Sequence, residues 1–187
     1  CPYRLPAAAF NRRGRMIRHR RFALERQPPQ WLEVGEGPSK RRLAYLLQEG
    51  TGAPVVWLGG FRSDMRATKA EALADWARDA GRACLRFDYG GHGESDGDFG
   101  NFTLSDWLGD AVATIESRCR QRPILVGSSM GGWIALLAAR RLFGTPLQPA
   151  GLVLIAPAVD FSEDLMWAQM PDSIRRTILE QGVWLRP

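Results

Sequence analysis

From about residue 31 onward, apolar positions fall alternately into short runs and helical stripes. Trp31-Leu32-Glu33-Val34 and Arg42-Leu43-Ala44-Tyr45-Leu46-Leu47 predict two strands joined by a Gly-Glu-Gly-Pro turn. Pro54-Val55-Val56-Trp57-Leu58 predicts a buried strand that ends in Gly59-Gly60. Thr68 to Ala80 predicts a helix with Leu73, Trp76, Ala77 and Ala80 on its apolar face and Gly81 as its stop. The strand Ala83 to Tyr89 leads into a loop, Gly90 to Gly97. A helix over Leu104 to Cys119 follows, with Trp107, Leu108, Ala111, Val112 and Ile115 as its stripe. Pro123-Ile124-Leu125-Val126 reads as a strand, Trp133 to Ala139 as a helix, Gly151 to Pro157 as a sixth strand, and Ser162 to Gln181 as a final helical region. Residues 1–28 show no core periodicity.

Strands alternating with helices predict an α/β fold: a mainly parallel sheet with helices on both faces. Ligands in such sheets bind beyond the carboxyl ends of the strands. The loops after Leu58, Tyr89, Val126 and Ala156 are therefore expected around one crevice.

The chemistry concentrates at Gly127-Ser128-Ser129-Met130-Gly131, where the apolar strand meets the alanine- and leucine-rich helix. Strand, Gly-x-Ser-x-Gly and helix is the context of a nucleophile elbow. Ser129 would sit at the tip of a strained turn, and Gly127 and Gly131 would remove side chains that collide with strand or helix. A glycine-rich helix start with a capping serine has similar letters, but the buried strand before and the long helix after favour the elbow. Spacing makes Ser129 the nucleophile and Ser128 the intervening residue. The N–H of Met130 would be one oxyanion donor. The loop Gly59-Gly60-Phe61-Arg62-Ser63-Asp64 would supply the other through the Phe61 N–H.

The two histidines, His19 and His92, both precede Ser129. Hydrolases of this kind order their triad Ser, then Asp or Glu, then His, so His92 is read as shaping the crevice wall and not as the base. Asp160 is open to two readings, a triad acid or a surface aspartate. Leu165, Met166, Trp167, Met170, Ile174, Ile178 and Trp184 either line an acyl pocket or pack on the domain. Gly59-Gly60 has no Gly-Lys-Ser/Thr after it, and Gly91-His92-Gly93 lacks the third glycine of a dinucleotide fingerprint.

Charge adds one point. Residues 1–26 hold eight arginines and one glutamate, a net +7, while the whole chain is +5. The basic character thus belongs to the arm, and no folded basic face for nucleic acid is expected. No apolar run approaches the roughly 20 residues of a membrane span. Cys1, Cys84 and Cys119 are far apart and odd in number, which suits reduced thiols in a cytoplasmic protein. No metal site or cofactor motif is expected.

Five stretches together resemble bacterial alpha/beta hydrolases of the alpha/beta-hydrolase domain-containing protein 10 type, a family of palmitoyl-protein thioesterases. They are Trp57 to Met65 with Thr68-Lys69-Ala70, Cys84 to Tyr89, Gly91-His92-Gly93-Glu94-Ser95, Leu125 to Trp133 and Gly182-Val183-Trp184. The resemblance covers residues 31 to 187 and leaves out the arm. It implies a serine esterase or thioesterase acting on a small-molecule acyl ester or acyl thioester. Ser129 would match the nucleophile, and Phe61 and Met130 the oxyanion hole. Relatives of this type usually carry His-Gly where this chain has Gly59-Gly60. The expected organisation is a basic arm over 1–28 and the N-terminal part of an alpha/beta-hydrolase domain over 29–187. The acid and histidine are expected beyond Pro187, the Gly151–Pro157 strand on an open edge, and these 187 residues alone catalytically silent. The alternative is a hydrolase-fold module that binds without turnover.

Overall fold

In the computed structural model, which describes residues 27–182, alternation along β3 (Thr51–Leu58) sets the layers. Val55 and Trp57 meet Ala70, Ala74 and Ala77 of α1 (Thr68–Asp79) on one face. Val56 and Leu58 point the other way, into a core with Ala111 and Ile115 of α2 (Leu104–Arg118) and Ile134, Ala135 and Ala138 of α3 (Met130–Arg141). Each Val, Leu or Ile buried this way contributes about 1.5–3 kcal/mol relative to exposure. A strand covered on both faces needs apolar residues at every position, which explains the unbroken runs.

The other strands are β1 (Gln30–Val34), β2 (Arg41–Gln48), β4 (Arg82–Phe87), β5 (Ile124–Ser128) and β6 (Gly151–Ile155). The sheet order is β1-β2-β4-β3-β5-β6. Strands β4, β3, β5 and β6 run parallel, with Val56 opposite both Leu85 and Leu125, while β1 and β2 are antiparallel additions. Each parallel connection passes through one helix, so the loops after β3, β4 and β5 emerge at the same end of the sheet. Among the described residues β6 pairs only with β5. Its Leu152, Val153 and Ile155 are more than a third exposed.

Three elements differ from the sequence reading. Strand β3 begins at Thr51, ahead of Pro54, and its register shifts between Thr51 and Val55. An irregularity there accommodates a proline, which has no N–H for the ladder. Trp76 is not on the buried face of α1; it is 52% exposed, and Ala80 is also outside the core. The buried stripe is Ala70, Ala74 and Ala77 with Leu73 beside it, the i, i+4, i+7 and i+3 positions that one helical face allows. The final helical region is two pieces, a π-helical turn over Ser162–Trp167 and α4 (Asp172–Gln181). Pro171 separates them, because its ring would crowd the Trp167 carbonyl of a continuous helix. The arm over 1–26, with His19 and Cys1, and the Val183-Trp184 stretch lie outside the described residues.

Candidate active site

Ser129 stands between β5 and α3 with φ 54° and ψ −122°, a backbone conformation costly for any residue but glycine. Its surroundings impose it. The Ser129 N–H donates to the Ile155 carbonyl at 3.0 Å, and its own carbonyl accepts from Gly132 at 2.9 Å and Ala158 at 3.1 Å. A methyl group on Gly127 would strike the Gly131 carbonyl, and one on Gly131 would strike the carbonyls of Leu58 and Gly59. The two glycines thus let β5, α3 and the end of β3 approach backbone to backbone. The Ser129 side chain is exposed and makes no capping hydrogen bond, so it does not spend its hydroxyl on starting the helix. Ser128, by contrast, is buried.

The loop after β3 comes to the same place. A methyl on Gly60 would lie 3.3 Å from the Ser128 carbonyl and 3.4 Å from the Ser129 Cβ. Between them is a cleft of about 350 Å³ whose lining includes Gly60, Phe61, Ser63, Lys69 and Ser129. The Met130 side chain is fully buried in the core, so only its backbone is available to the cleft. Among the described residues neither the Phe61 N–H nor the Met130 N–H has a hydrogen-bond acceptor. The Phe61 ring is half-exposed and packs edge-on against Phe99 at 4.9 Å, Trp107 at 6.0 Å and Phe161 at 6.1 Å. A larger hollow beside Asp64 and Glu94, and another at the opposite end by Leu47 and Cys119, do not include Ser129. Size alone therefore does not locate the site.

His92 is buried, 3% exposed, and both ring nitrogens are engaged away from Ser129. Nε2 accepts from the Arg62 N–H at 3.3 Å, and Nδ1 lies 3.3 Å from the Gly90 carbonyl, to which it donates. Burial holds the imidazole below its ordinary pKa, a shift that the Gly90 contact partly offsets. With Nε2 accepting an N–H, the ring is in its neutral form.

Sequence reasoning passed over Asp88, which ends the β4 run and ties the same two loops. Its carboxylate accepts from the Met65 N–H at 2.7 Å and the Glu94 N–H at 2.9 Å. The available signal was a carboxylate closing an apolar strand. Burial pushes the Asp88 pKa up to about 6, against the pull of those two N–H donors. An unfolded aspartate titrates near 3.9, so the folded chain holds this proton more tightly. The stabilising contribution is complete below about pH 4 and is lost as pH rises through about 6. His92 acts in the opposite sense, its contribution being lost as pH falls below roughly 6.5. The Met65 and Glu94 amide resonances are expected to titrate together with a midpoint near 6; a midpoint below about 3.9 would mean that the N–H donors outweigh burial.

The remaining sequence candidates are less engaged. Asp160 is exposed at φ 50°, and among the described residues its carboxylate has no hydrogen-bond partner. Met166 is exposed, and neither it nor Trp167 nor Met170 lines the Ser129 cleft. The side chain of Leu165 and all of Trp184 lie outside the description. Among the described residues no three His, Cys, Asp or Glu side chains are placed to hold a metal ion. Nor is any described helix long and apolar enough to cross a membrane.

A mixed six-stranded sheet with this crossover order, and a Gly-Ser-Ser-Met-Gly turn at the end of an interior parallel strand, defines an alpha/beta hydrolase. Residues 52–182 match the Hydrolase_4 model, described as serine aminopeptidase, S33, and the chain belongs to that family. A solved structure from Agrobacterium vitis S4, assigned as a hydrolase, is 41% identical with a TM-score of 0.79, over 83% of this chain and 62% of that one. Mouse alpha/beta hydrolase domain-containing protein 10 is 30% identical with a TM-score of 0.72, over 84% and 61%. Human mitochondrial palmitoyl-protein thioesterase ABHD10 is 35% identical over 150 residues, 80% of this chain and 48% of that protein. The chain thus spans about half the length of the curated relatives it matches.

Proposed function

We propose that the chain carries the nucleophile and oxyanion hole of a serine hydrolase that cleaves carboxylic esters or thioesters through an acyl-serine intermediate. One observation carries this reading. Ser129 is held at positive φ with an exposed hydroxyl that makes no cap, beside the N–H groups of Phe61 and Met130, which have no acceptor among the described residues. In the reaction the Ser129 Oγ adds to the acyl carbonyl carbon while its proton passes to a general base. The carbonyl oxygen takes the negative charge, held by the Phe61 and Met130 N–H groups. Collapse expels the alcohol or thiol, which takes up the proton, and water then releases the acid by the same path. The exposed ring of Phe61 with Phe161 and Trp133 behind it suits an acyl chain of medium length better than a charged or peptide group. The thioesterase names of the curated relatives support the same substrate class. Two free, buried thiols, Cys84 and Cys119, fit a reducing compartment.

A second reading, binding without turnover, draws on His92. With both of its nitrogens engaged, Ser129 has no general base among the described residues. On the hydrolase reading, residues 1–187 alone are catalytically silent, since Ser129 needs a base that the described residues do not supply, and the tests use the protein expressed from its complete reading frame. A fluorophosphonate probe applied to that protein is expected to label Ser129 alone. A substrate panel is expected to show hydrolysis of medium-chain acyl esters or thioesters and no cleavage of peptides. Labelling at another residue, or peptide cleavage without ester turnover, rejects the proposal.

A further inference from the structure

The Gly-Gly-His-Gly loop after β4 is not used by the reaction as proposed, yet it reaches the loop that bears Phe61. Arg62 adopts φ 56°, a left-handed conformation that a residue with a side chain keeps only when its neighbours enforce it. The turn is closed by Ser63 N–H donating to the Gly60 carbonyl at 3.0 Å, and the Arg62 N–H donates to His92 Nε2. The Arg62 guanidinium also lies 4.9 Å from the centre of the Phe99 ring.

His92 has little freedom to release that N–H. Its ring centre is 5.0 Å from those of Phe99 and Trp107 and 5.6 Å from that of Tyr89. Donation from Nδ1 to the Gly90 carbonyl fixes the tautomer that leaves Nε2 as an acceptor. Gly90 is itself fixed: its carbonyl also accepts from the Trp107 indole at 3.0 Å, and its N–H donates to the buried Asp110 at 2.8 Å. A methyl on Gly91 would meet the Phe99 backbone at 2.6 Å, and one on Gly93 would meet the Asp88 carboxylate, so His92 reaches this position only with glycine on both sides.

We infer that His92 is a positioning residue: its Nε2 holds the left-handed Arg62 N–H and thereby aims the adjacent Phe61 N–H at the oxygen of a substrate carbonyl on Ser129. The inference rests on the hydrolase reading of Ser129. It assigns His92 neither proton transfer nor substrate contact.

The test uses the protein from its complete reading frame. His92→Leu fills the aromatic cage without an acceptor, whereas the Gln side chain of His92→Gln puts an oxygen close to the place of Nε2. His92→Leu is expected to lower kcat on the order of 10²-fold with KM nearly unchanged, and to weaken a boronic acid transition-state analogue in parallel. His92→Gln is expected to restore most of both. Wild-type kcat in His92→Leu, or equal losses in the two variants, overturns the inference. A measurement independent of variant folding is nuclear magnetic resonance on the wild type, where an N–H···N coupling between Arg62 and an unprotonated His92 Nε2 is expected. A Ser129 that ignores the fluorophosphonate removes the hydrolase reading; a labelled Ser129 without that coupling removes only the role of His92.

Discussion

Ser129→Ala is expected to reduce ester hydrolysis by about 10⁴- to 10⁶-fold while leaving the fold intact, because the hydroxyl is exposed and bonds to no other group as a cap. Stability should respond to the backbone and not to the lost oxygen. Alanine keeps the Cβ that makes φ 54° costly, and glycine removes it. Such a conformation costs about 1–3 kcal/mol, partly offset in a glycine variant by roughly 0.4–1 kcal/mol of added freedom in the unfolded chain. Ser129→Gly should therefore be more stable than Ser129→Ala by about 1 kcal/mol. Urea unfolding of both variants, read at constant m, measures the difference. Equal midpoints would mean that the turn stores no strain, and an active Ser129→Ala would remove Ser129 from the chemistry.

Gly131→Ala should be the most destructive single-methyl change in the turn. The new Cβ would overlap the carbonyls of Leu58 and Gly59, which belong to backbone and cannot swing aside as a side chain would. The end of β3 must then move away from α3, carrying the Phe61 loop from Ser129. A loss of roughly 3 kcal/mol or more is expected, together with loss of fluorophosphonate labelling. Gly109→Ala is the control. Its Cβ meets nothing within 4 Å, and in the interior of α2 it should add about 0.5–1 kcal/mol. A Gly131→Ala variant with the wild-type unfolding midpoint would contradict the close backbone packing of the turn.

Where chemistry and periodicity are local, the sequence was sufficient. The apolar runs at 54–58 and 124–126 became parallel strands because burial on both faces favours apolar residues throughout, and the strand between them in sequence, β4, admits Arg86 with Glu71 as its partner. The Gly-x-Ser-x-Gly spacing located a tight turn in which glycines two positions to either side of the strained Ser129 let the backbones approach. Helix α1 shows the limit. Trp76 carries the largest apolar side chain of its segment, yet the buried stripe follows the small Ala70, Ala74 and Ala77 with Leu73 beside them, and which stripe faces the sheet is set by how the helix docks. The break at Pro171 was legible in principle, since a missing N–H is a local property.

The sequence by itself determined the alternating strands and helices, the strained turn at Ser129 and the end of the sheet at which the candidate site lies, since each follows from side-chain periodicity or from glycine's missing Cβ. Only the tertiary structure decided what holds that site in shape. Asp88 and His92 are separated in sequence from the Met65 and Arg62 amides they bind by 23 and 30 residues. No local pattern encodes those pairs, because they exist only once β3 and β4 lie side by side and their loops emerge together, and a buried N–H must then find an acceptor from whichever loop is nearest.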